Sequence, residues 1–392
     1  MSPRVAIVHH GFVPTYRVAF FERLAQAGDV EYVVFHGPAP GGTGHQAATG
    51  PFAFPDRWVA NREIGVRGRT VIAQPIVGPI ARGRFDGVVV GAEFKFPASW
   101  AAAAVTRARG GALVLWGHGY DKVEDEGASR IAAGTALKAA YARRADAYLV
   151  YTEGGADRLV QAGLDPERVT VVRNTLDVEA QRALHAGLAE TDEAELRDQL
   201  GLAPDSAVLV YLGRLYREKR LDELVEAARL LAARPGVPPV EVVVLGDGPE
   251  LEPTRALARD VPSVRLLGGV YDDMEIARWL RVAAALVMPG KVGLAVNHAL
   301  AHGVPVLTRA SDLHAPEVEY LEHDVNSLLV PGDLGAYVDA LAEVVSAPVV
   351  RERLAAGALS SSERLGLDHM VHAFDSGVRR ALAARGRMST PP

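Results

Sequence analysis

The chain has 392 residues, 49 % of them hydrophobic and 23 % charged, an ordinary globular composition long enough for two cores. Its net charge of −6 argues against a nucleic-acid binder; the lack of cysteine excludes disulfides, thiol catalysis and zinc–thiolate sites and fits a cytoplasmic location. No apolar run approaches the ~18–20 residues of a spanning helix, and the opening MSPRVAIVHH reads as a first strand rather than a signal peptide.

From the N-terminus, short apolar runs bounded by turn residues predict strands at Val5–Val8, Tyr32–Phe35, Gly87–Val90, Ala112–Trp116, Ala147–Tyr151 and Val169–Val172. Helical patterns separate most of them, among them YRVAFFERLAQAG, which ends in a glycine suited to a C-cap. Runs that are apolar throughout, not alternating, imply strands buried on both faces and hence a parallel sheet between helices. A polar helical stretch then places a domain boundary near residues 177–203. The second half repeats the scheme at Ala207–Leu212, Val240–Leu245, Val264–Leu267, Ala285–Met288 and Pro305–Leu307. Between its first two strands, Leu221, Leu224, Val225, Ala228 and Leu231 share one helical face. A last helix covers roughly 366–385, and residues 386–392 read as a disordered tail. The expected fold class is α/β, with two doubly wound Rossmann-like domains at 1–180 and 185–365. Ligands of such domains bind at the carboxyl ends of the strands, here in a cleft between the two.

Residues just after strands therefore carry the candidate chemistry. Gly11 turns the chain, Thr15 is placed to cap a helix, and Arg17 falls in its first turn, either as an anion ligand or as a partner of Glu22. Gly-His-Gly exposes His118, which suits a substrate hydroxyl or a proton relay, although many turns look alike. After Gly213, Arg214, Arg217, Lys219 and Arg220 crowd a helix start, where cations oppose the macrodipole. Either a diphosphate neutralises them, with Arg214 as a fork and Lys219 as a point charge, or Glu218, Asp222 and Glu223 do. Gly246 and Gly248 permit close approach of a ligand or simply a tight turn. In MPGKVGLAVNHALAHGVPV the amides of Val292, Gly293 and Leu294 open a helix and, with Lys291, form an anion site. His298 and His302 share a helical face, but without cysteine or an acidic neighbour they are expected to be structural rather than metal ligands.

Five stretches follow one another in a telling order: GRLYREKRLDELVEA, VVLGDGPELE, VRLLGGVYDD, VGLAVNHALAHGVPVLT and PEVEYLEHDVNSLLVPGD. Together they resemble the donor half of glycosyltransferase family 4, retaining GT-B enzymes that use nucleotide sugars. The resemblance covers residues 207–345 and reaches the first half through YRVAFFERL and WGHG. It implies that Arg214 and Lys219 grip the donor diphosphate, that the backbone of Gly269 and Val270 holds the base, and that His118 touches the sugar. Gly11, Arg17, Gly213, Gly246, Lys291, Val292, Gly293, Leu294 and His298 complete the expected donor-binding set. Asn174 and Asp177 fall in the segment leading to the interdomain linker, and the terminal helix crosses back onto the first domain. The family's two glutamates, eight positions apart, fall on Gly290 and His298, and PGKVGLAVNHAL instead resembles a less studied branch with PGNVGLTAIHAL-type sequences.

The implied activity is retaining transfer of a sugar from a nucleotide-diphosphate sugar to an acceptor, in glycan, cell-surface polysaccharide or secondary-metabolite biosynthesis. It requires neither cofactor nor metal: cations and amides meet the charge on the leaving oxygen, and the departing phosphate takes the acceptor proton. A nucleotide-sugar hydrolase or epimerase of the same fold, and a non-catalytic nucleotide-sugar binder, are the alternatives. HGYDKVEDEGASR is a candidate mobile loop over the acceptor surface. Arg82, Arg84, Arg143 and Arg144 suit either peripheral contact with anionic lipid or an ordinary solvated surface. The sugar, the base, the acceptor and the oligomeric state are not legible.

Overall fold

The continuous apolar runs become parallel strands, gathered into two sheets. The computed structural model describes residues 2–8, 11–39, 47–66, 69–91, 93, 95–119, 137–311 and 314–389. The residues expected to form an acceptor loop, from 120 to 130, and the last three of the expected tail lie outside them. The chain divides into two compact units, Met1–Leu176 with Leu367–Pro392, and Asp177–Gly366.

In the first unit the strands are β1 (Arg4–Val8), β2 (Glu31–His36), β3 (Asp56–Trp58), β4 (Arg62–Val66), β5 (Arg69–Ala73), β6 (Gly87–Val90), β7 (Ala112–Gly117), β8 (Ala147–Val150) and β9 (Val169–Val171). Strands β4 and β5 form a separate antiparallel hairpin. The others make one parallel sheet in the order β3-β2-β1-β6-β7-β8-β9. One face is covered by the helices Val18–Gln26 and Leu367–Ala383. The terminal helix lays Leu367, Met370, Val371, Phe374, Val378, Ala381 and Leu382 on the sheet at the three-and-four spacing of a buried helical stripe. Its Phe374 meets Phe20 and Trp116 with ring centroids 5.2 and 5.0 Å apart, and Phe20 lies 5.6 Å from Trp116. Gly377 brings helix and sheet together, since a Cβ there would stand 2.5 Å from a Leu149 methyl.

The second unit opens with two helices, Val178–Gly187 and Glu193–Gln199, each capped by the aspartate before it. Its strands are β10 (Ala207–Leu212), β11 (Val240–Leu245), β12 (Val264–Gly268), β13 (Ala283–Met288), β14 (Val306–Arg309) and β15 (Ser327–Val330). All are parallel, in the order β12-β11-β10-β13-β14-β15. The helix Leu221–Ala232 buries the five residues expected of it and Ala227 as well. From β10 the chain winds outward through β11 and β12, then returns to place β13 on the other side of β10. This reversal is the switch point at which open α/β sheets bind ligands.

Strands β3, β4, β5 and β15 escape the apolar-run criterion. Strand β3 is three exposed residues at a sheet edge, and the β4–β5 hairpin stands outside both sheets, so neither needs a continuous apolar sequence.

Candidate functional site

At the switch point of the second unit, the loop after β10 and the loop after β13 are interlocked. The first passes Gly213, a 3-10 turn at Arg217–Lys219 and a left-handed Arg220 (φ 55°) before the helix Leu221–Ala232 begins. The second runs through Gly290, whose missing side chain is required: a Cβ there would overlap the Glu218 carbonyl and the Lys219 backbone. The Lys291 N–H donates to the Glu218 carbonyl at 2.8 Å, and the Lys219 ammonium donates to the Lys291 carbonyl. A Cβ on Gly293 would lie 3.8 Å from Lys219 Nζ, so the ammonium sits beneath this loop. From the β14 side, the Thr308 hydroxyl donates to the Met288 carbonyl at 2.7 Å. The Val292 N–H donates to His314 Nδ1 at 3.2 Å, and His314 Nε2 donates to the Arg309 carbonyl at 2.7 Å.

The charges at this junction are mostly of one sign. Arg214 holds its guanidinium 4.7 Å over the Tyr216 ring and donates to the Tyr216 hydroxyl at 2.8 Å. Lys219 is half-buried and its pKa is lowered to about 8: loss of water contributes most, Lys291 and Arg214 add to it, and Glu317 and Glu218 oppose it. Glu317 itself is 3 % exposed in the 3-10 turn Pro316–Tyr320. Three cations thus converge on two loops, with one buried carboxylate behind them. An anion entering this space would favour the charged form of Lys219 that burial disfavours.

The structure divides the expected basic cluster. Arg214 and Lys219 join the junction, whereas Arg220 pairs with Glu223, which Arg309 also holds at 2.6 Å. Arg217 is exposed. Of the three amides expected to meet an anion, that of Val292 is instead taken by His314, which corrects the expectation for that residue. Gly246 and Gly248 are explained by the protein itself: a Cβ on Gly246 would overlap the Gly213 carbonyl, and one on Gly248 would stand 2.5 Å from the Leu215 carbonyl. Tight packing of the turn therefore requires both glycines whether or not a ligand approaches. Gly213 has φ +138° and donates its N–H to the Leu245 carbonyl. Gly269 is exposed and Val270 half-buried in the loop after β12, and the Tyr271 ring lies against Gly269.

His298 is half-buried, and burial pushes its imidazole down. His302, one turn on, donates from Nε2 to Gln181 Oε1 at 3.1 Å and meets the His185 ring at 5.7 Å. Its pKa is lowered first by burial, then by the charges of His298 and His185. A neutral imidazole at 298 hydrogen-bonds but carries no negative charge, so it is not an electrostatic substitute for a glutamate.

In the first unit, Arg17 is corrected from anion ligand to core clasp. It is 1 % exposed, donates to the Thr175 carbonyl at 3.0 Å and to Asn174 Oδ1, and lies among the rings of Tyr16, Phe20 and Trp116. Neither an anion nor Glu22 is needed to hold it. Gly11 (φ +79°) is packed under Gln74 and Asn61, and its carbonyl accepts from the Gly37 N–H at 2.7 Å. His118 is exposed after β7, with its ring 5.1 Å from that of Tyr151. Gly119 (φ +79°) lets this turn fit against Val150 and Gly155. Arg82, Arg84, Arg143 and Arg144 are exposed just before β6 and β8, at helix ends where cations complement the dipole.

His314, Glu317, Tyr216 and Thr308 are the residues that sequence reasoning missed. The stretch PEVEYLEHDVNSLLVPGD marks the region, but only the pairing of β13 with β14 brings its neighbours to Lys219 and Val292.

Residues 206–347 match the family described as Glycosyl transferases group 1. The matched residues lie within the second unit, Asp177–Gly366. The chain is similar to the D-inositol 3-phosphate glycosyltransferase of Nocardioides sp., with 32 % identity over 260 residues, covering 61 % of this chain and 54 % of that protein. The same-named protein of Streptomyces bingchenggensis is 32 % identical over 258 residues, covering 62 % and 55 %. The chain thus spans about half the length of the curated relatives it matches. Among solved structures, Anabaena HepE in complex with UDP superposes with a TM-score of 0.71 at 17 % identity, covering 95 % of this chain and 98 % of that one. Sucrose-phosphate synthase from Thermosynechococcus elongatus gives 0.70 at 17 %, covering 97 % and 100 %. These likenesses show the fold, which is GT-B. No helix among the described residues is long and apolar enough to cross a membrane.

Proposed function

We propose that the chain is a glycosyltransferase that takes a sugar from a nucleotide-diphosphate sugar and delivers it to an acceptor with retention of anomeric configuration. The observation that carries this reading is the convergence of Arg214, Lys219 and Lys291 on the loops after β10 and β13 at the switch point of a group 1 glycosyltransferase domain. The UDP bound to HepE and the activity named for the D-inositol 3-phosphate glycosyltransferases support it from outside the chain.

Cleavage of the anomeric C–O bond leaves negative charge on the diphosphate oxygen. Arg214 offers a planar fork for two of its oxygens and Lys219 a point charge, with the Gly293 and Leu294 amides beside them. These groups take the place of a metal in the reaction we propose. The oxocarbenium-like sugar is attacked from the face the diphosphate leaves, and the diphosphate oxygen accepts the acceptor's proton. His118 keeps the sugar-orienting role that the resemblance implies.

Arg214→Ala and Lys219→Ala test the clamp. Calorimetric titration with UDP, GDP, dTDP and ADP should show binding of at least one by the native chain, weakened about tenfold or more in either variant. The thermal midpoint should change little in Arg214→Ala, whereas Lys219→Ala also loses the bond to the Lys291 carbonyl and should melt lower. Native affinity in either variant would remove the clamp from the mechanism.

A further inference from the structure

We infer that His314 is the positioning residue of the donor-phosphate loop, holding the Lys291–Val292 peptide in the orientation that aims the following amides at the diphosphate. The inference rests on the donor-site reading above, but its grounds are separate. One peptide unit is gripped at both ends: its carbonyl accepts from the Lys219 ammonium, and its N–H donates to His314 Nδ1. Because Nδ1 accepts, it carries no proton; Nε2 carries the proton and donates to the Arg309 carbonyl. The ring is thereby locked in one tautomer and one orientation. It is 2 % exposed, so no water competes for the bond.

The anchor behind it is rigid. Arg309 ends β14, and its guanidinium is held by Glu223 at 2.6 Å and by the Gly332 carbonyl at 2.8 Å. His314 therefore transmits the position of a sheet strand to a loop that has no regular structure of its own until Ala295. Loss of the acceptor leaves a buried N–H unsatisfied, and the cheapest relief is rotation of the 291–292 peptide. That rotation would also withdraw the Lys291 carbonyl from Lys219 and redirect the amides of Gly293 and Leu294. In this chain a side chain from the segment after β14 steadies the loop whose glutamate position, 290, has no room for any side chain.

The test compares His314→Leu with His314→Asn in the full chain, since the asparagine Oδ1 falls close to Nδ1 and still accepts from Val292. Affinity is read by titration with whichever of UDP, GDP, dTDP or ADP the native protein binds, and exchange of the Val292 amide is followed by NMR. The leucine variant should bind about tenfold more weakly or worse, with the Val292 amide exchanging faster, while the asparagine variant restores both. Equal loss in both variants, or native affinity in the leucine variant, overturns the inference. If the leucine variant does not fold, the asparagine variant decides: retained Val292 protection with retained affinity upholds the role, and lost protection with unchanged affinity ends it. A native chain that binds none of the four nucleotides removes the donor-site reading itself, an outcome visible before any His314 variant is made.

Discussion

Lys219 shows how one side chain serves both structure and ligand. Its ammonium pins the loop after β13 through the Lys291 carbonyl, yet burial brings its pKa to about 8, so the pin is chemically soft. The sign follows from the cause: a lysine whose pKa is lowered keeps its charge below that value and loses it as pH rises through it. Nucleotide affinity should therefore be flat up to about pH 8 and weaken above it, well before an exposed lysine would titrate. Lys219→Arg should extend the plateau to higher pH, because a guanidinium stays protonated. Glu317→Gln should move the loss to lower pH, since its carboxylate opposes the shift. Affinity measured by titration across pH 6.5–9.5 checks all three, and a profile that is unchanged in Glu317→Gln would deny the carboxylate any hold on Lys219.

At the scale of elements, the site is two loops that touch before any ligand arrives. Gly290 is the point of contact, and alanine there forces the Glu218 carbonyl away. Gly290→Ala should cost about 1–3 kcal/mol of stability, read from denaturant midpoints, and should weaken nucleotide binding as well. Equal stability of the variant and the native chain would show that the two loops are not in fact pressed together. The same contact explains what could be read from the sequence. The strands were legible because a parallel strand buried on both faces has to be apolar throughout, and Arg214 and Lys219 stood out because cations before a helix need a partner. The roles of Val292 and Arg17 were not legible, and Gly246 was left between two readings. Each is settled by a neighbour distant in sequence: the Gly213 carbonyl, His314, and the Asn174–Thr175 segment. Spacing along the chain does not show such neighbours, and a glycine that makes room for protein looks the same as one that makes room for a ligand.

At the scale of the whole molecule, the first unit depends on a helix drawn from the far end of the chain. Phe374 is fully buried against Phe20 and Trp116. Phe374→Ala should destabilise the first unit by about 3–5 kcal/mol. It should split unfolding into two steps by calorimetry, with added nucleotide raising only the step that belongs to Asp177–Gly366; a single unshifted transition would contradict this assignment. The split first unit also sets an order on the ribosome. Strands β1 to β9 emerge first, yet the face they share with Val18–Gln26 lacks its second covering helix until Leu367–Ala383 has been made, whereas Asp177–Gly366 is one uninterrupted stretch. At ~5–20 residues per second the nascent first sheet waits on the order of ten seconds or more with that oily surface open. The domain begun first is thus completed last, and during translation its unfinished face is a natural target for a chaperone.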